Sequence, residues 1–138
     1  MRNLRKYGCW YILGAFALVT GCIWSAVFWA QAHHDLLVLS VLDVGQGDAV
    51  FIEAPNGSQV LVDGGPDNAV LARLGEVMPF WDRSIDVLIL THPHADHLDG
   101  LLSVLERYTV GMIIESGVNH SIAEYEIWRR KVKERGIP

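Results

Sequence analysis

The hydrophobic pattern divides the chain into one long apolar run and a region in which short apolar runs alternate with turn residues. Residues 8–32 contain no charged side chain, and within residues 10–32 the clearly polar members are Thr20, Ser25 and Gln31. As a helix, residues 10–32 would be roughly 35 Å long, which is enough to cross the hydrocarbon core of a bilayer. The first run therefore predicts a transmembrane helix.

The flanks of this run predict its orientation. The basic residues that precede it are Arg2, Arg5 and Lys6. By the positive-inside rule, the N-terminus would lie in the cytoplasm and the rest of the chain outside the cell membrane. We therefore expect residues 1–32 to be a basic tip and a single-pass signal anchor.

Three alternatives for the N-terminal run stay open. A cleaved secretory signal is one, because residues 30–32 read Ala-Gln-Ala, the small-x-small form of a cleavage site. A lipoprotein signal is the second, because residues 19–22 read Val-Thr-Gly-Cys. The third is a buried helix of a soluble core.

Beyond residue 35 the pattern predicts alternating secondary structure. Asn56-Gly57 between two apolar runs is typical of a β-hairpin turn. Gly136 is expected to end the last helix, and residues 137–138 to begin a further extended segment. Three strands followed by alternating strands and helices favour a mixed sheet flanked by helices. The predicted strands are 36–44, 49–54, 58–62, 86–90 and 110–114, and the predicted helices are 68–78, 98–108 and 121–135.

Composition restricts the function classes. The part after residue 33 carries eight basic and sixteen acidic residues. Because Lys and Arg dominate phosphate binding, a stand-alone nucleic-acid clamp is disfavoured. Both cysteines, Cys9 and Cys22, lie in the apolar run, so the domain has no disulfide and no thiolate metal site.

A run of histidines follows the predicted strand 86–90. It reads His92-Pro93-His94-Ala95-Asp96-His97 and contains half of the six histidines. Imidazole and carboxylate are ligands that zinc and neighbouring divalent ions accept. In an extended loop, His92 and His94 would project to the same side, and Asp96 and His97 would follow where the chain enters a helix. A polar loop with exposed histidines is the alternative, and three histidines with an aspartate in this setting favour the metal site.

These residues resemble the metal-binding motif of the metallo-β-lactamase superfamily. The resemblance extends over residues 36–138. In detail, these residues are similar to the extracytoplasmic domain of ComEC-type competence proteins. The segments that carry this finer likeness are residues 42–49 (Leu-Asp-Val-Gly-Gln-Gly-Asp-Ala), 55–57 (Pro-Asn-Gly), 60–65 (Val-Leu-Val-Asp-Gly-Gly) and 91–100.

The resemblance implies a four-layered αββα fold of the α+β class, of which residues 36–138 would be the first half. His92 and His94 would bind one divalent ion, zinc or manganese, and Asp96 and His97 a second ion. Asp96 would also handle protons as a catalytic residue. Asp63 would orient a ligand histidine.

Other polar residues are weaker candidates for the site. Asp43 and Asp48 would line it, although turn formation alone also explains both residues. Turn formation is likewise an alternative explanation for Asp63, which precedes two glycines. His120 is expected to be a loop residue, and His33 and His34 to lie in a linker.

By the same resemblance, the two metals would activate water for attack on a phosphodiester, with DNA at the cell surface as the substrate during DNA uptake. Lactone, thioester and β-lactam hydrolysis use the same metal core, and the fold alone does not separate them.

The family supplies further ligands downstream of the segment that residues 36–138 resemble. We therefore expect a truncated domain, or a second chain that supplies the missing half, and weak metal binding without turnover by these residues alone. A membrane-tethered binding module without catalysis and a non-functional remnant are the alternatives from other classes.

Overall fold

The computed structural model describes residues 2–31, 36–118 and 121–138. The chain forms two compact units, Met1–Leu36 and Leu37–Pro138. The first contains a single described helix, and the second contains a five-stranded sheet with three helices.

Helix α1 (Arg2–Gln31) forms the first unit. Its segment Trp10–Val27 has a mean hydropathy of 1.7, and this helix is long and apolar enough to cross a membrane. A signal sequence near an N-terminus passes the same test of length and composition. The hydroxyls of Thr20 and Ser25 donate hydrogen bonds to the carbonyls of Phe16 and Cys22 at 2.8 and 2.9 Å, so both are satisfied within the helix. The predicted linker histidines, His33 and His34, lie outside the described residues.

The second unit is built on a mixed sheet with strand order β1-β2-β3-β4-β5. The first three strands pair antiparallel, and β4 and β5 join β3 in parallel. Gly57 has a φ of 81° in the predicted hairpin turn, where Ala54 N–H donates to the Ser58 carbonyl at 2.8 Å. The predicted meander followed by alternation is confirmed. The strands are β1 (Val38–Val41), β2 (Val50–Glu53), β3 (Gln59–Val62), β4 (Ser84–Leu90) and β5 (Thr109–Glu115).

The helices α2 (Ala69–Val77), α3 (Ala95–Arg107) and α4 (Ala123–Arg135) follow at the predicted places, with one informative shift. Helix α3 begins three residues earlier than the predicted 98, because the backbone N–H groups of His97 and Leu98 already bond to the His94 carbonyl. The predicted start of this helix at residue 98 is therefore wrong by three residues. Asp96 and His97 lie in the first turn of a helix.

Helix α4 ends at Gly136, as predicted from the sequence. Gly136 has a φ of 63° and its N–H bonds back to the Lys133 carbonyl. This left-handed conformation is one that glycine adopts without a steric penalty.

The core lies between the three helices and one face of the sheet. Leu61, Leu88 and Leu98 are completely buried there, as is Trp128. Side chains alternate between the two faces of a strand, and many positions that alternate with the core residues are aliphatic and exposed: Val41 at 76%, and Met112 and Ile114 at 47% each. A sheet with helices on one face and an apolar second face is consistent with a fragment of the expected four-layered fold.

Two glycine contacts join the start of α3 to the end of β3. A Cβ added at Gly100 would collide with the Gly64 carbonyl. The N–H of Gly64 donates to the His97 carbonyl at 2.8 Å, and the N–H of Gly100 donates to the Gly65 carbonyl at 3.0 Å. The helix that carries His97 is therefore held directly against the strand end that carries Asp63.

Candidate metal centre

The carboxyl ends of β3 and β4 position the candidate site. Asp63 directly follows β3, and Thr91 and His92 directly follow β4. The two strands are parallel neighbours, so their carboxyl ends meet at the same edge of the sheet. Asp63 N–H also donates to the Ile89 carbonyl at 2.9 Å, which fixes the backbone of Asp63 beside β4.

Asp63 is a buried carboxylate with three hydrogen bonds. Its Oδ1 accepts from Thr91 N–H at 2.9 Å. Its Oδ2 accepts from the Thr91 hydroxyl at 2.6 Å and lies 2.9 Å from Nδ1 of His97. The φ of Asp63 is 57°, a left-handed conformation that Asp and Asn adopt more readily than most residues. The side chain is therefore held by contacts to both neighbouring segments.

Three histidine rings lie together above this carboxylate. The ring centroids of His92 and His97 are 3.9 Å apart, and those of His92 and His94 are 4.7 Å apart. His97 is buried, His92 is half-buried and His94 is exposed. Burial thus falls from the sheet edge outward, and the outer rings remain accessible to solvent.

The donor set fits a divalent metal ion. Within the described part of the chain, ligand atoms of Asp63, His92 and His97 lie within 4.8 Å of one another. Asp96 approaches the same place, with its Oδ2 3.7 Å from Nε2 of His97. Imidazole nitrogens with carboxylate oxygens suit zinc and its neighbours in the first transition row. Asp63, His92 and His97 therefore form a candidate His/Asp metal site at the mouth of a buried strand, and His94 and Asp96 lie outside this group of three.

The loop that precedes β2 reaches the site through its backbone. A Cβ added at Gly47 would collide with the carbonyl of Asp96, so this glycine permits close contact with the start of α3. The carboxylate of Asp43, in contrast, is 85% exposed and lies 4.0 Å from the Arg73 guanidinium. Asp48 is exposed, and its carbonyl accepts from Gly65 N–H at 3.0 Å. The contact with the site residues thus comes from Gly47, next to the predicted Asp48.

Thr91 is a site residue that sequence reasoning missed. Its hydroxyl lies between Oδ2 of Asp63 at 2.6 Å and Nδ1 of His92 at 2.9 Å. At the end of a β-strand a threonine is an ordinary strand former, so nothing in the local pattern singles it out. Its position immediately before the first histidine is the one available signal.

Asp99 is a further acid on α3 that lies outside the group of ligand atoms. Burial raises the pKa of Asp99, and the negative charge of Glu124 on α4 raises it further. His120, which the sequence assigned to a loop, lies outside the described residues.

Comparisons with known proteins agree with this geometry. The sequence model of the metallo-β-lactamase superfamily matches residues 42–135. The chain is 33% identical to the uncharacterized protein YcaI of Escherichia coli (strain K12) over 106 residues, which are 72% of this chain and 14% of that protein. It is 32% identical to the beta-lactamase-like protein 2 homolog of Drosophila melanogaster over 62 residues, which are 44% of this chain and 21% of that protein. The chain thus spans a small part of the curated relatives that it matches.

Proposed function

Because the chain belongs to the metallo-β-lactamase superfamily, we propose that residues 36–138 carry the N-terminal metal-binding half of a membrane-anchored, ComEC-like hydrolase that cleaves phosphodiesters. The observation that carries the proposal is the convergence of His92 and His97 beside the carboxylate of Asp63, with one nitrogen or oxygen atom of each residue within 4.8 Å of the others. The three residues come from the end of β3, the end of β4 and the first turn of α3. Regular secondary structure therefore holds each of them in place.

The superfamily typically binds divalent metal ions, and the donor set of this site fits them. In our proposal His92 and His94 hold one ion, and Asp96 and His97 hold a second, zinc or manganese in both positions. Metal ions at such a site lower the pKa of water and stabilise charge that develops on the substrate. By the family resemblance, ligands that residues 36–138 do not supply would complete the site, from another part of the protein or from a second chain.

The residues of this chain have separate tasks in the proposal. Asp63 orients His97 by accepting a hydrogen bond from its Nδ1 at 2.9 Å. Asp96, whose side chain is 53% exposed and lies 3.7 Å from His97 Nε2, accepts the proton that the attacking water loses. Pro93, which is buried and lies between His92 and His94 in the sequence, restricts the backbone that carries them.

Helix α1 is the membrane anchor in this proposal, with the basic N-terminus in the cytoplasm and the hydrolase half outside. Its length and composition support this assignment. The alternative is a signal sequence that is removed. Detection of the intact N-terminus on membrane-bound protein supports the anchor, and its absence from mature protein supports the cleaved signal.

The substrate class rests on the likeness of residues 42–49 and 60–65 to ComEC-type proteins. Double-stranded or single-stranded DNA outside the cell is the phosphodiester that this likeness favours. The net negative charge of the domain does not itself favour DNA, because Lys and Arg dominate phosphate binding.

The test uses the full chain in detergent with added zinc or manganese. Metal per chain is measured after dialysis, and turnover is measured on an aryl phosphodiester, a lactone, a thioester and a β-lactam. We expect bound metal that decreases in His92→Ala, and any metal-dependent turnover to favour the phosphodiester. A matched His120→Ala variant is the control. Faster metal-dependent cleavage of one of the other three substrates would reassign the substrate class. Absence of bound metal would remove the hydrolase proposal and leave a tethered binding module.

A further inference from the structure

We propose that Thr91 is a positioning residue that fixes the tautomer of His92 and so directs its Nε2 atom toward the metal. The inference rests on the proposed metal site and adds to it the residue that prepares a ligand for binding. It follows from the number of protons available for the hydrogen bonds among Asp63, Thr91 and His92.

The hydroxyl of Thr91 has a single proton to donate. It lies 2.6 Å from Oδ2 of Asp63, a distance typical of an O–H donor to a carboxylate. An ionised carboxylate only accepts hydrogen bonds, so the proton between these two oxygens belongs to Thr91. The hydroxyl has then no proton left for any other partner.

The second partner of the hydroxyl is Nδ1 of His92, at 2.9 Å. Because Thr91 has already donated its proton to Asp63, it acts toward His92 as an acceptor. His92 must therefore carry a proton on Nδ1. In a neutral imidazole with a proton on Nδ1, the free lone pair is on Nε2, and that atom is the metal ligand.

His97 obeys the same rule without an intermediary. Its Nδ1 lies 2.9 Å from the same Oδ2 atom of Asp63. Since the carboxylate cannot donate, Nδ1 of His97 is also protonated and Nε2 is free. One buried carboxylate thus sets the tautomers of two histidines, directly for His97 and through Thr91 for His92, and a lone pair at Nε2 becomes available on each ring.

A different arrangement uses Asp63 itself as a metal ligand together with the Nδ1 atoms. It would require Asp63 to give up its bonds to the hydroxyl of Thr91 and to His97. Oδ2 already has two partners, the Thr91 hydroxyl and Nδ1 of His97, which use both of its lone pairs, and Oδ1 accepts from Thr91 N–H at 2.9 Å. The two arrangements predict opposite results for removal of the hydroxyl, because its loss would free Oδ2 of Asp63 for a metal.

The first experiment needs no metal and determines the tautomer in the original chain. The full chain is labelled with ¹⁵N-histidine, and long-range proton–nitrogen correlation spectra distinguish protonated Nδ1 from protonated Nε2. A His92→Gln variant identifies the His92 signals. We expect His92 to carry its proton on Nδ1. A His92 ring protonated on Nε2 alone would overturn the proposal.

The second experiment compares Thr91→Val, which keeps the shape and removes the hydroxyl, with Thr91→Ser, which keeps the hydroxyl. Thr109→Val at the exposed start of β5 is the matched control. Competition with a chromogenic chelator should show zinc affinity about 10- to 100-fold weaker for Thr91→Val. Thr91→Ser should bind zinc like the original chain, and Thr91→Val should show a mixture of His92 tautomers.

The results separate this proposal from the proposed function. Unchanged or tighter zinc binding by Thr91→Val would contradict the role of Thr91, while the loss of binding in His92→Ala would still support the metal site. Zinc binding that does not depend on His92 would contradict the proposed function. The tautomer spectra of the original chain would still show which nitrogen of His92 carries the proton, and a proton on Nε2 alone would contradict the role of Thr91.

Discussion

Oδ2 of Asp63 lies 2.9 Å from Nδ1 of His97, although 34 residues separate them in the sequence. The contact joins the end of β3 to the first turn of α3, and both side chains are buried. A hydrogen bond of this kind fixes the ring orientation of a histidine and raises its basicity as a ligand. The order of the site therefore depends on tertiary packing as well as on the histidine run.

Asp63→Asn should weaken zinc binding by about 10- to 100-fold while the chain remains folded. Asparagine also adopts the φ of 57° found at this position, so the backbone is not strained. The asparagine amide has one acceptor oxygen, whereas the Asp63 carboxylate has two oxygens that accept from Thr91 and His97. Zinc affinity by chelator competition, with circular dichroism melting of each variant, checks both parts.

The matched control for this substitution is Asp67→Asn. Asp67 is exposed, and its Oδ1 accepts from Ala69 N–H at 2.7 Å, a bond that an asparagine oxygen can replace. Asp67→Asn should bind zinc like the original chain. Equal zinc affinity in Asp63→Asn and the original chain would exclude an orienting role for Asp63.

Gly100→Ala should destabilise the domain by about 1–3 kcal/mol, because the new Cβ would collide with the Gly64 carbonyl. Gly75→Ala is the matched helix substitution. No atom lies within 4 Å of a Cβ built at Gly75, so the alanine should stabilise α2 by about 0.5–1 kcal/mol. Urea unfolding of both variants measures the difference, and a stabilising Gly100→Ala would show that α3 does not pack closely against β3.

Glu115→Ala should destabilise the domain by about 1–3 kcal/mol. The carboxylate accepts from Trp128 Nε1 at 2.6 Å and from the Tyr125 hydroxyl at 3.1 Å. Both aromatic residues are buried in α4, so loss of the acceptor leaves an indole N–H without its partner. Glu115→Gln keeps an acceptor and should cost clearly less. Thermal melts of the two variants that coincide would contradict this assignment.

Asp82 should contribute to stability at neutral pH and lose that contribution in acid. The pKa of Asp82 is lowered from 3.8, mainly by the hydrogen bond from the Ser84 hydroxyl. Burial opposes this shift, and hydrogen bonds from the Gln59 side chain and Ser84 N–H add to it. A carboxyl whose pKa falls on folding stabilises the folded state above its unfolded pKa. This contribution disappears as the pH falls through the folded pKa.

The difference in unfolding free energy between the original chain and Asp82→Asn should therefore be present at about pH 6 and shrink below about pH 4. Urea titrations at both pH values measure it. Glu53→Gln, outside this hydrogen-bonded group, is the control for the general effect of acid. A difference that stays constant or grows in acid would contradict the hydrogen bonding around Asp82.

Much of the fold follows from local pattern in the sequence. The five strands and three helices of the second unit lie where apolar runs and turn residues predict them, and Gly57 and Gly136 take the positive φ that their contexts require. The sequence pattern predicts the start of α3 three residues too late, because residues 92–97 are mostly polar and lack the apolar spacing of a helix. Hydrogen bonds to the His94 carbonyl, which pattern alone does not reveal, begin the helix earlier.

The organisation of the site was less accessible from sequence. The run 92–97 suggested metal ligands because it concentrates imidazole and carboxylate groups. The hydroxyl of Thr91 depends on Asp63, 28 residues away, and is visible only in three dimensions. The close contact of Gly47 with Asp96 is likewise tertiary, and so is the anchoring of Trp128 by Glu115.

Zinc titration of the full chain and its His92→Ala and His97→Ala variants tests the central claim most directly. We predict saturable zinc binding by the original chain, binding at least about tenfold weaker in each variant, and unchanged binding in His120→Ala. Equal zinc affinity in the original chain and both site variants would contradict a metal centre at the carboxyl ends of β3 and β4.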